Sequence, residues 1–339
     1  MTSPRPRTLV VMGNEAWDMQ FDDARRARLR ELADTFAPMW APTFESPTIR
    51  GHLADVEVLL TGWGTPRLTA DRLARLPGLR AVLHCAGTVR GLVGPELWQR
   101  GILVSTSADL NADPVAEYTL AAVIMAGKKA PFLAADARRH REDWSYRRRR
   151  CPRSNLGPTI GIVGFSRIGR RVISMLTRTL HDVTCLVADP YATPREVSRA
   201  GARLVDLDEM LPALDILSLH APALPETRRM IGAPQLAALP DHSCVINTAR
   251  GSLVDTAALE AECATGRLHA ILDVTDPEPL PGDARLYDLP NVMITPHIAG
   301  SLDSETMRMA DGALDELERL AHGQPLARAV SRAALTHSA

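Results

Sequence analysis

The chain has 339 residues, more than one hydrophobic core fills and a comfortable length for two domains. Lysine plus arginine number 39 against 40 aspartate plus glutamate, a formal net charge of -1, which excludes the strong positive field of a general nucleic-acid or membrane-surface binder. Hydrophobic residues at 45% exclude bulk disorder.

Taken in chain order, residues 1–7 are polar and basic, and the apolar run 9–12 behind them is too short for a signal peptide and reads as a first strand. An amphipathic helix is predicted over 22–36, then strands at 56–60, 80–84 and 102–105 with a helical stretch at 70–76. Residues 115–127 predict an apolar helix that begins near Asp113-Pro114, where proline suits a first turn. The polar stretch 138–154, which contains Arg147, Arg148, Arg149 and Arg150, is the sharpest change of composition and reads as an exposed arm. A second block carries strands at 159–163, 184–188, 216–219, 244–247, 270–273 and 292–295 with helices between them. That alternation predicts a doubly wound parallel sheet. A last helix over 304–320 is placed to fold back on the first block, and residues 331–339 read as a loose tail. No stretch approaches the roughly 20 apolar residues of a membrane span. The five cysteines are odd in number and form no C-x-x-C pair, so neither a zinc site nor a disulfide framework is indicated, and a reduced cytoplasm is the expected setting.

The strongest local motif follows the first strand of the second block: Gly164-Phe165-Ser166-Arg167-Ile168-Gly169. Gly164 can make the tight turn out of the strand, and Gly169 lets the next helix pack close to the sheet. The helix start would offer N–H groups and the positive end of its dipole to a pyrophosphate. Ser166 departs from the dinucleotide fingerprint, which has glycine there, but its small hydroxyl can itself bond a phosphate oxygen. Asp189 stands twenty residues past Gly169, at the end of the next strand. A carboxylate there binds adenosine ribose hydroxyls and repels a 2′-phosphate, which favours NAD over NADP. Read alone, Asp189 is also an ordinary turn residue before Pro190, and Arg195 and Arg199 lie close to it in sequence.

Three polar residues follow later strands of the same block: Arg250 after 245–249, Glu278 within 273–279, and His297 after 294–296. Together they suit reduction of a 2-keto acid by a dinucleotide. A guanidinium holds a carboxylate in a fixed fork, a histidine gives a proton to the developing alkoxide, and a carboxylate beside the histidine orients its ring. Singly, each has a plainer role as a surface charge, a loop carboxylate or a buried imidazole.

On these stretches, with Asp189-Pro190-Tyr191, His220-Ala221-Pro222, 247–251, 272–281 and 295–300, the chain resembles the NAD-dependent D-2-hydroxyacid dehydrogenase family over roughly residues 53–300. The resemblance implies that Arg250 anchors the substrate, Glu278 pairs with His297, and His297 is the acid or base. It implies that Asp273 meets the nicotinamide end, Thr248 and Ala249 line the cofactor, Arg167 and Ile168 offer backbone to the pyrophosphate, and Pro222 lies near the adenosine. It implies a Rossmann-type cofactor domain, 108–301, and a discontinuous flavodoxin-like α/β substrate domain, 1–107 with 302–339. A homodimer through the cofactor domain, residues 115–127 and the arm is implied too, with Trp144 placed to reach a neighbouring subunit. In the first block Ala86 and Gly87 are the expected donors to the substrate carboxylate, and Asn111 is placed to reach the substrate. Many members carry an arginine after the strand ending at Leu60, whereas this chain reads Thr61-Gly62-Trp63-Gly64-Thr65-Pro66-Arg67. Trp63 could wall an apolar pocket or pack between domains. 3-Phosphoglycerate is disfavoured unless Arg67 or Arg90 substitutes. Glu278 sets aside the formate dehydrogenases, which have glutamine, and the lack of any lysine before Lys128 sets aside phosphite dehydrogenase. Two other functions stay open: an NAD(H)-sensing interaction protein like the corepressors of this fold, and a dehydrogenase of an unusual substrate such as a phosphonate.

Overall fold

Fully buried parallel strands read as unbroken apolar runs, and the computed structural model places most of those runs in two sheets. It describes residues 5–148 and 154–337. Arg149, Arg150 and Cys151, and the side chains of Arg147 and Arg148, fall outside that description. The chain divides into two units: Met1–Asn111 with Ser301–Ala339, and Ala112–Gly300.

The first unit contains strands β1 (Arg7–Val11), β2 (Asp34–Ala41), β3 (Val58–Thr61), β4 (Ala81–His84) and β5 (Leu103–Thr106), all parallel in the order β2-β1-β3-β4-β5. Alternate side chains go to opposite faces. Leu9, Val11, Leu59 and Val82 enter one core, and Val10, Leu60, Ala81 and Leu83 the other. The helix Thr306–Ala321 closes this second core with Ala310, Ala313, Leu314 and Leu317, the spacing of one helical face. Its outer side is tied to the helix Asp23–Leu32 by Arg25–Asp311 at 2.6 Å and Arg28–Asp315 at 2.9 Å.

Three sequence expectations need correction here. The helix predicted to Phe36 stops at Leu32, and the chain enters β2 instead. Pro38 cannot continue a helix, and β2 lies at the sheet edge, where a missing N–H is tolerated. The helix expected from Asp113-Pro114 begins earlier, at Ala108, and holds Pro114 in its interior. The tail 331–339 includes a helix, Arg332–His337, with Leu335 against the first core, and Val330 donates to the Val104 carbonyl of β5.

The second unit contains β6 (Thr159–Val163), β7 (Thr184–Ala188), β8 (Arg203–Leu204), β9 (Ile216–Leu219), β10 (Cys244–Asn247), β11 (His269–Leu272) and β12 (Val292–Ile294). All are parallel, in the order β12-β11-β10-β9-β6-β7-β8. The order reverses at β6, so the crevice beyond the carboxyl ends of β6 and β9 is where such a sheet binds its ligand. The arm sequence 138–154 starts inside a helix, Ala130–His140, held by the buried Phe132. Among the described residues no helix is long and apolar enough to cross a membrane.

Candidate active site

The chain leaves β6 through Gly164, whose φ is +99°. A Cβ there would stand 2.7 Å from the Ala221 nitrogen and 2.8 Å from the His220 carbonyl carbon, so only glycine fits. The turns after β6 and β9 therefore touch where the strand order reverses. A Cβ on Gly169 would strike the Gly164 carbonyl oxygen, so this second glycine lets the helix Arg167–Thr179 come down on the turn. Ser166 caps that helix, its Oγ accepting from the Gly169 N–H at 3.3 Å. The hydroxyl proton is not used in that bond. Asp189 ends β7 half-buried, with Oδ2 accepting from Phe165 N–H at 2.7 Å and Oδ1 from Tyr191 N–H at 2.8 Å. Arg167 is exposed, Ile168 packs on the core beneath, and Arg170 lies over the Phe165 ring at 4.0 Å. Pro222 is half-buried, its carbonyl accepting from Thr227 Oγ1 at 2.7 Å.

The loops after β10, β11 and β12 carry the other group. Asn247 closes the first of them on itself: its Nδ2 donates to the Arg250 carbonyl at 2.9 Å, and its Oδ1 accepts from Ala249 N–H at 3.1 Å. This is the local bonding that favours asparagine at turns. A Cβ on Gly251 would run into the Thr275 carbonyl, so the first and second loops cross there in contact. Arg250 Nη1 donates to the Ala249 carbonyl at 2.5 Å. Desolvation around the guanidinium lowers its pKa, and the Glu278 charge acts in the opposite direction. Thr119 gives its hydroxyl proton to the Val115 carbonyl, so in the Thr119–Thr248 bond of 2.9 Å Thr248 is the donor. That hydroxyl is turned to the helix Ala108–Gly127.

Asp273 is 2% exposed and organises the third loop. Its Oδ1 accepts from Thr295 Oγ1 at 2.7 Å and Ile298 N–H at 2.8 Å, and its Oδ2 from Ala299 N–H at 2.9 Å. Its carbonyl accepts from His297 N–H at 2.9 Å. These bonds hold His297 at φ +56°, a left-handed conformation that non-glycine residues rarely adopt unsupported. The His297 ring meets Glu278, with Nδ1 and Oε1 2.6 Å apart and the two side chains 49% and 42% exposed. A carboxylate oxygen accepts, so Nδ1 is the donor and Nε2 remains for other work.

In the first unit Ala86 is buried, and its carbonyl accepts from Ser107 N–H at 3.0 Å. Gly87 has only Asn111 Nδ2 near the position a Cβ would take, at 3.9 Å. Asn111 Oδ1 accepts from Ser301 N–H at 2.9 Å.

Residues 120–299 match the model of the D-isomer specific 2-hydroxyacid dehydrogenase NAD-binding domain. The chain belongs to this family. It is 30% identical over 309 residues to the glyoxylate reductase of Aeropyrum pernix, covering 89% of each chain. It is also 30% identical over 292 residues to the D-3-phosphoglycerate dehydrogenase of Mycobacterium tuberculosis, covering 86% of this chain and 54% of that protein. The chain thus spans about half the length of such curated relatives. A solved phosphoglycerate oxidoreductase from Rhizobium etli superposes with a TM-score of 0.81 at 25% identity, over 98% of this chain and 100% of the other.

NAD is the cofactor that goes with this domain, and the glycine turn fits it: two glycines that tolerate no Cβ, a capped helix start and a carboxylate at the end of β7. The sequence reading missed a chain of hydroxyls behind the family's histidine loop. Tyr118 OH bonds Thr295 Oγ1 at 2.7 Å, and because Thr295 donates to Asp273, Tyr118 donates to Thr295. Burial raises the tyrosine pKa, the Thr295 bond lowers it, and the nearby Asp273 charge raises it again. Nothing local marks this link, since 177 residues separate Tyr118 from Thr295. Asn247 was legible in principle, because asparagine two and three residues before a loop backbone is a turn signal.

Proposed function

We propose that this chain interconverts a 2-keto acid and a D-2-hydroxy acid with NAD(H). The observation that carries it is the 2.6 Å His297–Glu278 bond, made beside Arg250 within an NAD-binding domain. NAD(H) supplies the hydride acceptor or donor. Arg250 holds the substrate carboxylate in the fork of its guanidinium and draws charge toward the adjoining carbonyl. Glu278 fixes the imidazole through Nδ1. In reduction His297 gives the proton on Nε2 to the oxygen of the forming alcohol, and in oxidation Nε2 takes that proton back. Backbone N–H groups at Arg167 and Ile168 meet the pyrophosphate, and Asp189 the ribose.

We assign residues 108–301 to cofactor binding and 1–107 with 302–339 to the substrate, with a homodimer as the working unit. A cytoplasmic setting is supported by Cys85, Cys185, Cys244 and Cys263, which are free and buried. Burial pushes Cys185 up to about 11 and Cys244 and Cys263 to about 12, which keeps these thiols unreactive.

The test is loss of NADH absorbance with glyoxylate and other 2-keto acids, for the wild type and His297→Ala. Turnover is expected to fall by roughly a hundredfold or more in the variant, with NADH affinity kept. Equal turnover in both proteins would remove His297 from the chemistry.

A further inference from the structure

From Ala112 onward the helix Ala108–Gly127 belongs to the second unit, and it touches the loops that follow two different strands of that sheet. Ala116, Thr119, Val123 and Ala126 form a buried stripe on it, at the spacing of one helical face. The three apolar members pack into the core that holds Ile246 of β10 and Ile271 of β11. Thr119 is the polar member. Valine has the same shape, and a buried hydroxyl is costly unless it is bonded.

The Thr119 hydroxyl has two partners. It donates to the Val115 carbonyl at 2.7 Å and accepts from Thr248 Oγ1 at 2.9 Å. Thr248 opens the loop after β10, two residues before Arg250. The carbonyl of Ala249, between them, accepts from Arg250 Nη1. The helix thus grips the loop of the guanidinium.

Tyr118 projects about 100° round the helix from Thr119 and serves the other loop. Its OH donates to Thr295 Oγ1 at 2.7 Å, and Thr295 donates to Asp273. Asp273 in turn accepts from the backbone N–H groups of His297, Ile298 and Ala299. Strand β11 separates β10 from β12, so the two loops start roughly 10 Å apart and are not paired through the sheet. Asp113 of the same helix accepts from Arg171 Nε at 2.6 Å, which anchors it to the helix that follows the glycine turn.

We propose that Tyr118 and Thr119 are positioning residues for the reaction. Two successive residues of one helix fix the places of the proton donor His297 and of the carboxylate clamp Arg250, one loop each. The inference rests on the keto-acid reduction proposed above. A hydroxyl lost at 118 shifts the loop of His297 and shows in turnover. One lost at 119 shifts the loop of Arg250 and shows in the hold on the acid.

The test is steady-state kinetics with NADH and the 2-keto acid that the wild type reduces best, expressed per NADH-binding site. Tyr118→Phe is expected to lower kcat about threefold to tenfold with KM for the acid within about twofold. Thr119→Val is expected to raise that KM about threefold to tenfold with kcat within about twofold, and Thr119→Ser, which keeps the hydroxyl, to restore it. Two double-mutant cycles separate positioning from a general loss of structure, which would act by the same factor in any background. In His297→Ala, adding Tyr118→Phe is expected to lower kcat by less than about twofold more. In Arg250→Gln, adding Thr119→Val is expected to raise KM by less than about twofold more, because the group acted through is gone. Additivity in either cycle, or a single variant that matches the wild type, overturns the role of that residue while leaving the reduction standing. Wild-type protein that binds NADH and reduces no 2-keto acid overturns the reaction and this inference with it.

Discussion

Gly251 and Gly87 each lie in a loop that follows a parallel strand, one in each unit, and their surroundings are opposite. Gly251 is pressed against the Thr275 carbonyl so closely that the chain itself forbids a Cβ. Gly87 faces open space, with Asn111 Nδ2 at 3.9 Å as its one neighbour. Around Gly251 the polar groups answer one another: Asn247 with Arg250, Asp273 with the backbone of 297–299, Glu278 with His297. The second unit therefore sets its chemistry with its own atoms. The first leaves open space at Gly87 and an exposed ring at Trp63.

The harshest test of that contrast is the pair Gly251→Ala and Gly87→Ala. The first is expected to cost about 3 kcal/mol or more, because backbone must move, and the second within ~0.5 kcal/mol. Urea midpoints at pH 7 measure both. Gly251→Ala is also expected to lower kcat/KM by about a hundredfold, since the displaced loop carries Arg250. Equal midpoints for the two variants would dissolve the contrast.

A milder test uses acid. In each unit burial depresses the pKa of one histidine: His84, bonded to Thr61 Oγ1 at 2.9 Å, in the first, and His220, bonded to Ser218 Oγ at 2.9 Å, in the second, which also buries His269. Burial lowers His84 to about 4 and His220 to about 3. The folded state therefore binds fewer protons than the unfolded state below about pH 6.5. Stability is complete above that pH and is lost as pH falls toward 4, at up to ~1.4 kcal/mol per unit for each ring. In His84→Gln the slope of denaturation midpoint against pH between 6.5 and 4.5 is expected to flatten for the first unit only. A slope identical to wild type would show that this ring does not govern acid loss.

The smallest expected effect is at Tyr118→Phe, which removes a donor to Thr295 two bonds away from His297. Turnover is expected to fall about threefold to tenfold, the worth of one neutral hydrogen bond, with KM little changed. A fall as large as that of His297→Ala would make the tyrosine part of the reacting set.

Legibility in the sequence followed burial. The strands of the second unit, apart from the two-residue β8, are apolar runs, and they were found to within a residue because both faces are covered. Strand β2 was missed since it is an edge strand, half-exposed along its length and interrupted by Pro38, so its pattern carries no clean alternation. Pro114 misled the start of its helix by looking like a first-turn residue when it is an interior one. Arg250, Glu278, His297 and the glycine turn were legible as ordered motifs. The bonds that hold them, from Asp273 to Ile298 and Ala299 or from Tyr118 to Thr295, join residues far apart in the chain, and no local pattern encodes such pairs.

Asp189 has a bearing on cofactor engineering. The usual route to the phosphorylated dinucleotide is to remove the acid at the end of the second strand. Here that acid accepts from Phe165 N–H and Tyr191 N–H and so pins the glycine turn, in addition to the ribose contact proposed for it above. Alanine at 189 would strip two amides of their acceptor at once. Asparagine keeps only one acceptor oxygen and turns an NH₂ toward one of those N–H groups. A swap of coenzyme in this chain is therefore also a redesign of the turn, and new acceptors for residues 165 and 191 have to be built before the acid is taken away.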